Sequence, residues 1–104
     1  MNEFGQGGPK DLKAAVEFFR RAAERGDPKG QTNLGRAYAH GLGIERDLPI
    51  AYKWLKLGMD QHEVMAEKEL DELGPVMTAD QVRQGDELLA EYRGRQEQTT
   101  SARK

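Results

Sequence analysis

His40 and His62 are the only imidazoles in the chain, and cysteine is absent. Imidazole and thiolate are the common ligands of transition metals and the common bases and nucleophiles near neutral pH. Their scarcity removes a histidine-rich metal site, thiol chemistry and a disulfide framework. His62-Glu63 opens like the helical motif of zinc peptidases, but Ala66 stands where the second histidine would have to lie on the same face. The pair is therefore read as a solvated helix end, with a small hydrolase or metal-dependent enzyme using His62-Glu63 as the competing reading. Gly41-Leu42-Gly43 follows a helical segment and lacks the third glycine of a dinucleotide loop. Gly5-Gln6-Gly7-Gly8-Pro9-Lys10 matches a phosphate loop only in composition, because Pro9 offers no N–H and no Ser or Thr follows the lysine. No Ser or Thr adjoins a histidine, and Ser101 lies in a polar tail. No catalytic residue, metal ligand or cofactor is expected.

The elements that carry these residues belong to one small domain. The chain has 104 residues, 37 % apolar and 33 % charged, with 16 basic against 18 acidic side chains and a formal charge of −2. Such a balance provides no positive field to displace counterions from a nucleic acid. Apolar runs fall far short of the ~18 residues a membrane span requires. No charged start, apolar block and cleavage site follow Met1, which slightly favours the cytoplasm and otherwise leaves the compartment open. Helix signals run throughout. Asp11 is expected to cap a helix reaching about Arg25, and Asp27-Pro28 to start a second reaching His40. Asp47 caps a third to Asp60 or Gln61, and a fourth spans Val64 to Leu73 before Gly74-Pro75. Thr78 and Gln81 form a capping box for a fifth to about Arg93. No strand pattern appears, so the fold class is all-α.

Sliding the chain against itself by 36 residues aligns Gly5 with Gly41, Gly7 with Gly43, Leu12 with Leu48, Ala15 with Ala51, Phe18 with Trp54 and Phe19 with Leu55. A period in the thirties marks helix-pair solenoids. Helical spacing predicts buried stripes at Ala15, Phe18, Phe19 and Ala22, at Leu34 and Tyr38, at Ala51, Trp54, Leu55 and Gly58, and at Val82, Leu89 and Tyr92. Gly35 is expected to let a neighbouring helix approach, and Trp54 to slot opposite Ala or Gly. The aromatic stripe is thus core and not a cofactor box.

The run from Asn33-Leu34-Gly35 through Tyr38 and Gly41-Leu42-Gly43 to Asp47, followed by Ala51 and Trp54, resembles the Sel-one-like repeat family, relatives of the tetratricopeptide repeats. The resemblance covers roughly residues 4 to 93 and implies a short helix-pair solenoid of about five helices. Its departures are Gly8-Pro9 after the first glycine turn, Gly58-Met59 in place of Ala-Ala, His62 in place of Gly, and Leu70-Asp71, which lacks the close-packing glycine. Residues 1–10 are read as a partial repeat turn, 11–93 as the repeat domain and 94–104 as a disordered polar tail.

What the resemblance implies about function is a non-enzymatic interaction module, an adaptor, scaffold or regulator, holding a protein or peptide in the groove of its first-of-pair helices. Carried over residue by residue, that groove comprises Lys29, Thr32, Asn33, Arg36 and His40, with Met65, Lys68, Glu69 and Glu72 from the fourth helix. Asn33 beside cations suits a carboxylate ligand. The first helix lacks an upstream partner in the repeat scheme, so Val16, Phe18 and Phe19 are expected to expose apolar surface. Two readings follow: a fragment of a longer array, or an end covered by another chain, such as a second copy in a two-fold dimer.

Overall fold

The computed structural model describes the backbone of residues 8–102 and the side chains of residues 12–95. Five α-helices follow one another: α1 (Gly8–Glu24), α2 (Pro28–His40), α3 (Leu48–Asp60), α4 (Val64–Leu73) and α5 (Ala79–Ala102). A single turn of 3-10 helix, Gly74–Val76, joins the last two, and no strand occurs among the described residues. The expected glycine turn at Gly5-Gln6-Gly7 lies outside the described residues.

Local chemistry explains most boundaries. The Asp27 carboxylate accepts from the Gly30 N–H at 2.7 Å, with Pro28 in the first turn where its missing donor costs nothing. Asp47 caps α3 in the same way, accepting from the Ile50 N–H at 3.1 Å. Gly41 ends α2 in the left-handed region at φ 68°, which glycine enters without a Cβ penalty. Thr78 and Gln81 form the reciprocal capping box of α5, at 2.9 and 3.1 Å.

Two boundaries depart from expectation. Helix α1 begins at Gly8, so Asp11 lies inside its first turns and is not the cap. Pro9 is tolerated there because first-turn N–H groups have no intrahelical acceptor. Helix α5 continues past Arg93 to Ala102, so the stretch from Gly94 expected to be disordered has helical backbone. Arg95-Gln96-Glu97-Gln98 are good helix formers, and extending an established helix adds one bond per residue.

The helices stack as a short helix-pair solenoid: α1 on α2, α2 on α3, and α3 against both α4 and α5. Small residues set the crossings. A Cβ on Gly35 would sit 2.7 Å from Leu55 Cγ, so α2 and α3 meet there with no room for a side chain. A Cβ on Gly30 would lie 2.6 Å from the Ala22 Cβ of α1, and one on Gly58 3.2 Å from the Ala66 Cβ of α4. Positions 22 and 30 become 58 and 66 on a shift of 36, so the two helix pairs cross at equivalent small residues. Beyond α4 the chain returns to α3, where Gly85 of α5 lies against the Tyr52 ring.

Most of the core matches the predicted stripes. Trp54 is 5 % exposed and joins Val16, Ala23, Leu34, Ala37, Leu57, Leu89 and Tyr92 in one cluster. Its ring meets Tyr92 edge-on, with centroids 5.4 Å apart, so an aromatic partner fills the place expected of Ala or Gly. The ring that does lie on a glycine is Tyr52, on Gly85. Ala39, Leu48, Ala51, Leu55, Ala66 and Leu73 form the second cluster. The first helix differs from its predicted stripe: Val16 and Ala23 are buried, whereas Phe18 is 72 % exposed. Seating Gly30 over Ala22 and Ala23 turns the Val16–Ala23 line of α1 toward α2.

Candidate functional site

Burial of Leu34, Gly35, Ala37 and Ala39 leaves Asn33, Arg36 and His40 along the other side of α2. On α4, burial of Ala66 and Leu73 leaves Met65, Glu69 and Glu72 outside the core. The two faces meet at one carboxylate. Arg36 Nε donates to Glu69 Oε2 at 3.1 Å, and His40 Nε2 lies 3.0 Å from Glu69 Oε1. Glu69 is the most buried of the three side chains, and both of its oxygens find a partner, which offsets the cost of removing a carboxylate from water. A cleft of about 280 Å³ adjoins this triad, lined by Ala39, His40, Arg46, Glu69, Glu72, Leu73 and Val76. Its walls thus combine charged anchors with an apolar floor that includes exposed Val76, and Met65, one turn before Glu69 on α4, is exposed as well.

The predicted groove residues separate into groups. Arg36, His40 and Glu69 come together, and Glu72 shares their cleft. Asn33 and Arg36 also border a smaller cleft of about 130 Å³ facing Leu12, Ala15 and Phe19 of α1. Lys29, Met65 and Lys68 are exposed. Thr32 is a correction. It is 2 % exposed, its hydroxyl donates to the Pro28 carbonyl at 3.0 Å, and it fills the space over Gly58, so it belongs to the α2–α3 contact and not to a groove. Helical phase alone puts Thr32 beside Asn33 and gives no hint that α3 crosses there.

Arg46 and Val76 line the cleft without having been anticipated, because they come from the α2–α3 loop and the 3-10 turn. Arg46 is held by donating its Nε hydrogen to the Ala39 carbonyl at 3.2 Å. A second polar contact also escaped sequence reasoning. Gln61 Nε2 donates to Gly26 O and to Gln31 Oε1, at 3.0 and 2.8 Å, while buried Gln31 donates to Ala23 O. This relay ties the ends of α1 and α3 to α2, and glutamines so far apart in sequence give no local signal.

Val16 and Phe19 do not form the open apolar face expected of α1. Val16 is core and Phe19 is half-buried against it, which leaves Phe18 exposed. His62 is exposed with a φ of 70°, and Ala66 is buried against Gly58. Among the described residues no three His, Asp or Glu side chains gather as a metal site, and no helix is long and apolar enough to cross a membrane.

Two further groups on α3 have shifted protonation. Burial pushes the Tyr52 phenol above its ordinary 10.0, helped by a hydrogen bond to Asp86 and by that carboxylate's charge. Burial lowers the Lys53 ammonium, with Arg95 acting in the same direction and Glu24 and Glu91 opposing. Lys53 Nζ lies 4.3 Å from the Trp54 ring centroid, so the aromatic face stabilises the cation.

Comparison with known proteins follows the repeat. The model of the Sel1 repeat matches residues 1–27 and 28–61, more than half of the chain. A chitin synthase regulator of Saccharomyces cerevisiae is 44 % identical over 45 residues, covering 43 % of this chain and 6 % of the yeast protein. DAP3-binding cell death enhancer 1 of Mus musculus is 47 % identical over 38 residues, 36 % of this chain and 8 % of the mouse protein. The cytochrome c oxidase assembly factor 7 homolog of Drosophila melanogaster is 35 % identical over 65 residues, 62 % of this chain and 24 % of the fly protein. The chain therefore spans a quarter or less of the length of these relatives.

Proposed function

Because the chain belongs to the Sel1 repeat family, we propose that it is a non-enzymatic interaction module that receives a protein or peptide on the shared face of α2 and α4. The observation that carries this reading is the convergence of Arg36 and His40 on Glu69 beside the cleft floored by Ala39, Leu73 and Val76. Repeats of this family are generally protein-interaction modules, and the relatives are named as a chitin synthase regulator, a DAP3-binding cell death enhancer and an assembly factor homolog.

The chemistry is that of a preorganised surface. Arg36 and His40 are held by Glu69, so a bound chain meets side chains already ordered and loses less entropy on docking. A carboxylate or backbone carbonyl of the ligand engages Arg36 and Asn33, while an apolar side chain enters the cleft beside Val76. Lys29, Lys68 and Glu72 border the face and set which charges are accepted. The test places a photo-crosslinking residue at position 65 and, in a separate protein, at position 83 on the outer side of α5. A defined crosslinked partner from position 65 and none from position 83 is the expected result. Equal labelling from both positions, or from position 83 alone, overturns the assignment.

A further inference from the structure

Lys53 stands half-buried on α3, and among the described residues no carboxylate lies at ion-pair distance from it. Its neighbours are instead the rings of Trp54 and Tyr92, with centroids 4.3 and 5.3 Å from Nζ, and a second cation, Arg95 of α5. These four residues and Glu24, the last of α1, line a cleft of about 270 Å³. Trp54 is more than nine-tenths buried, yet its indole N–H meets no acceptor among the described residues and is not sealed from solvent. The cleft thus gathers an ammonium, a guanidinium and an indole donor, with one carboxylate on the side of α1. It shares no residue with the cleft beside Glu69, so the two sites stand or fall separately.

A cation drawn out of water costs free energy unless a counterion attends it, and a second cation nearby adds to the cost. Both effects act on Lys53, burial first and Arg95 after it. An anion set between the two cations relieves both. We propose that this cleft binds a small free carboxylate that bears one negative charge and, at its other end, an ammonium or hydroxyl donor. The single charge follows from the surroundings. Glu24 and Glu91 act on Lys53 in the sense opposite to Arg95, so two carboxylates already balance two cations and a dianion would be repelled. The ligand carboxylate accepts from Lys53 and from the indole N–H of Trp54, and its far donor meets Glu24. Arg95 is engaged within the chain as well and contributes its charge, which leaves Lys53 as the principal anchor. The volume lies just under the usual range of small-molecule pockets, which suits an acid of a few carbons and not a folded segment.

Trp54 is the chain's one tryptophan, so its emission reports on the cleft directly. The full chain is titrated with glycine, β-alanine, γ-aminobutyrate, acetate and inorganic phosphate, each at the same ionic strength. The expected result is a saturable change in emission, with one of the amino acids tighter than acetate and acetate tighter than phosphate. Lys53→Met keeps the apolar stem over Trp54 and removes the charge, and it should weaken the best amino acid by about tenfold or more. Glu24→Gln should bring that amino acid down to the affinity of acetate while acetate itself binds no worse. Glu24 is exposed, so circular dichroism of this variant is expected to match the parent, and the arm decides the matter even where Lys53→Met does not fold. No saturable change with any probe, tightest binding by phosphate, or equal affinity for acetate and every amino acid overturns the proposal. So does unchanged binding in a folded Lys53→Met protein.

Discussion

His62 holds a φ of 70° immediately before α4, a region where a Cβ crowds the following carbonyl and costs about 1–2 kcal/mol. Glycine is the usual residue at this place in the repeat pattern, so His62→Gly is expected to stabilise the fold by about 1 kcal/mol. In a domain of this size that raises the melting temperature by about 4–8 °C. An unchanged or lower melting temperature would show that the histidine side chain repays its backbone. Tyr52 allows a test with pH. Its phenol titrates higher in the folded chain than in the unfolded one, so the native state holds the proton more tightly. That contribution is fully present below pH 10.0 and is lost as pH rises through the folded value. Tyr52→Phe should flatten the fall in stability above pH 10, measured by urea denaturation across the alkaline range. Residue types alone revealed the caps Asp27, Asp47 and Thr78, whose effects are local. They could not reveal that Thr32 faces α3, because its burial depends on where a distant glycine, Gly58, lands.

Helix-to-helix spacing depends on where glycine occurs, and a glycine at a crossing responds to substitution unlike one in open space. Gly35→Val inserts branched atoms where even a Cβ would meet Leu55 at 2.7 Å and should destabilise by about 1–3 kcal/mol through overpacking. Gly94 in α5 has open space around it, so Gly94→Ala should instead stabilise by about 0.5–1 kcal/mol through helix propensity. Thermal denaturation of both variants checks the pair, and a stable Gly35→Val protein would mean that α2 and α3 can separate without loss. Helix count, type and most ends were legible because capping residues and apolar period agree. The α1 face was misjudged by one helical position: Phe18 fits the apolar stripe as well as Val16 does, and only the seating of Gly30 on Ala22 decides between them.

At the scale of the whole molecule, the repeat of 36 residues makes each helix pair the template for the next. It turns Arg36 and His40 of one first-of-pair helix toward Glu69 of its neighbour. Arg36, His40, Glu69 and Glu72, which the structure brings together, were among the residues carried over from the family pattern. Arg46 and Val76 were not, because they reach the cleft from connections whose path depends on tertiary packing. Binding energy concentrated in a few anchored side chains is the usual economy of such surfaces. The most direct test is the affinity of the partner crosslinked from position 65, measured by calorimetry for the parent chain, for Asn33→Ala with Arg36→Ala, and for Arg83→Ala. A loss of about tenfold or more in the α2 double variant, with Arg83→Ala unchanged, is the predicted result. Unaltered affinity in the α2 double variant would contradict the account.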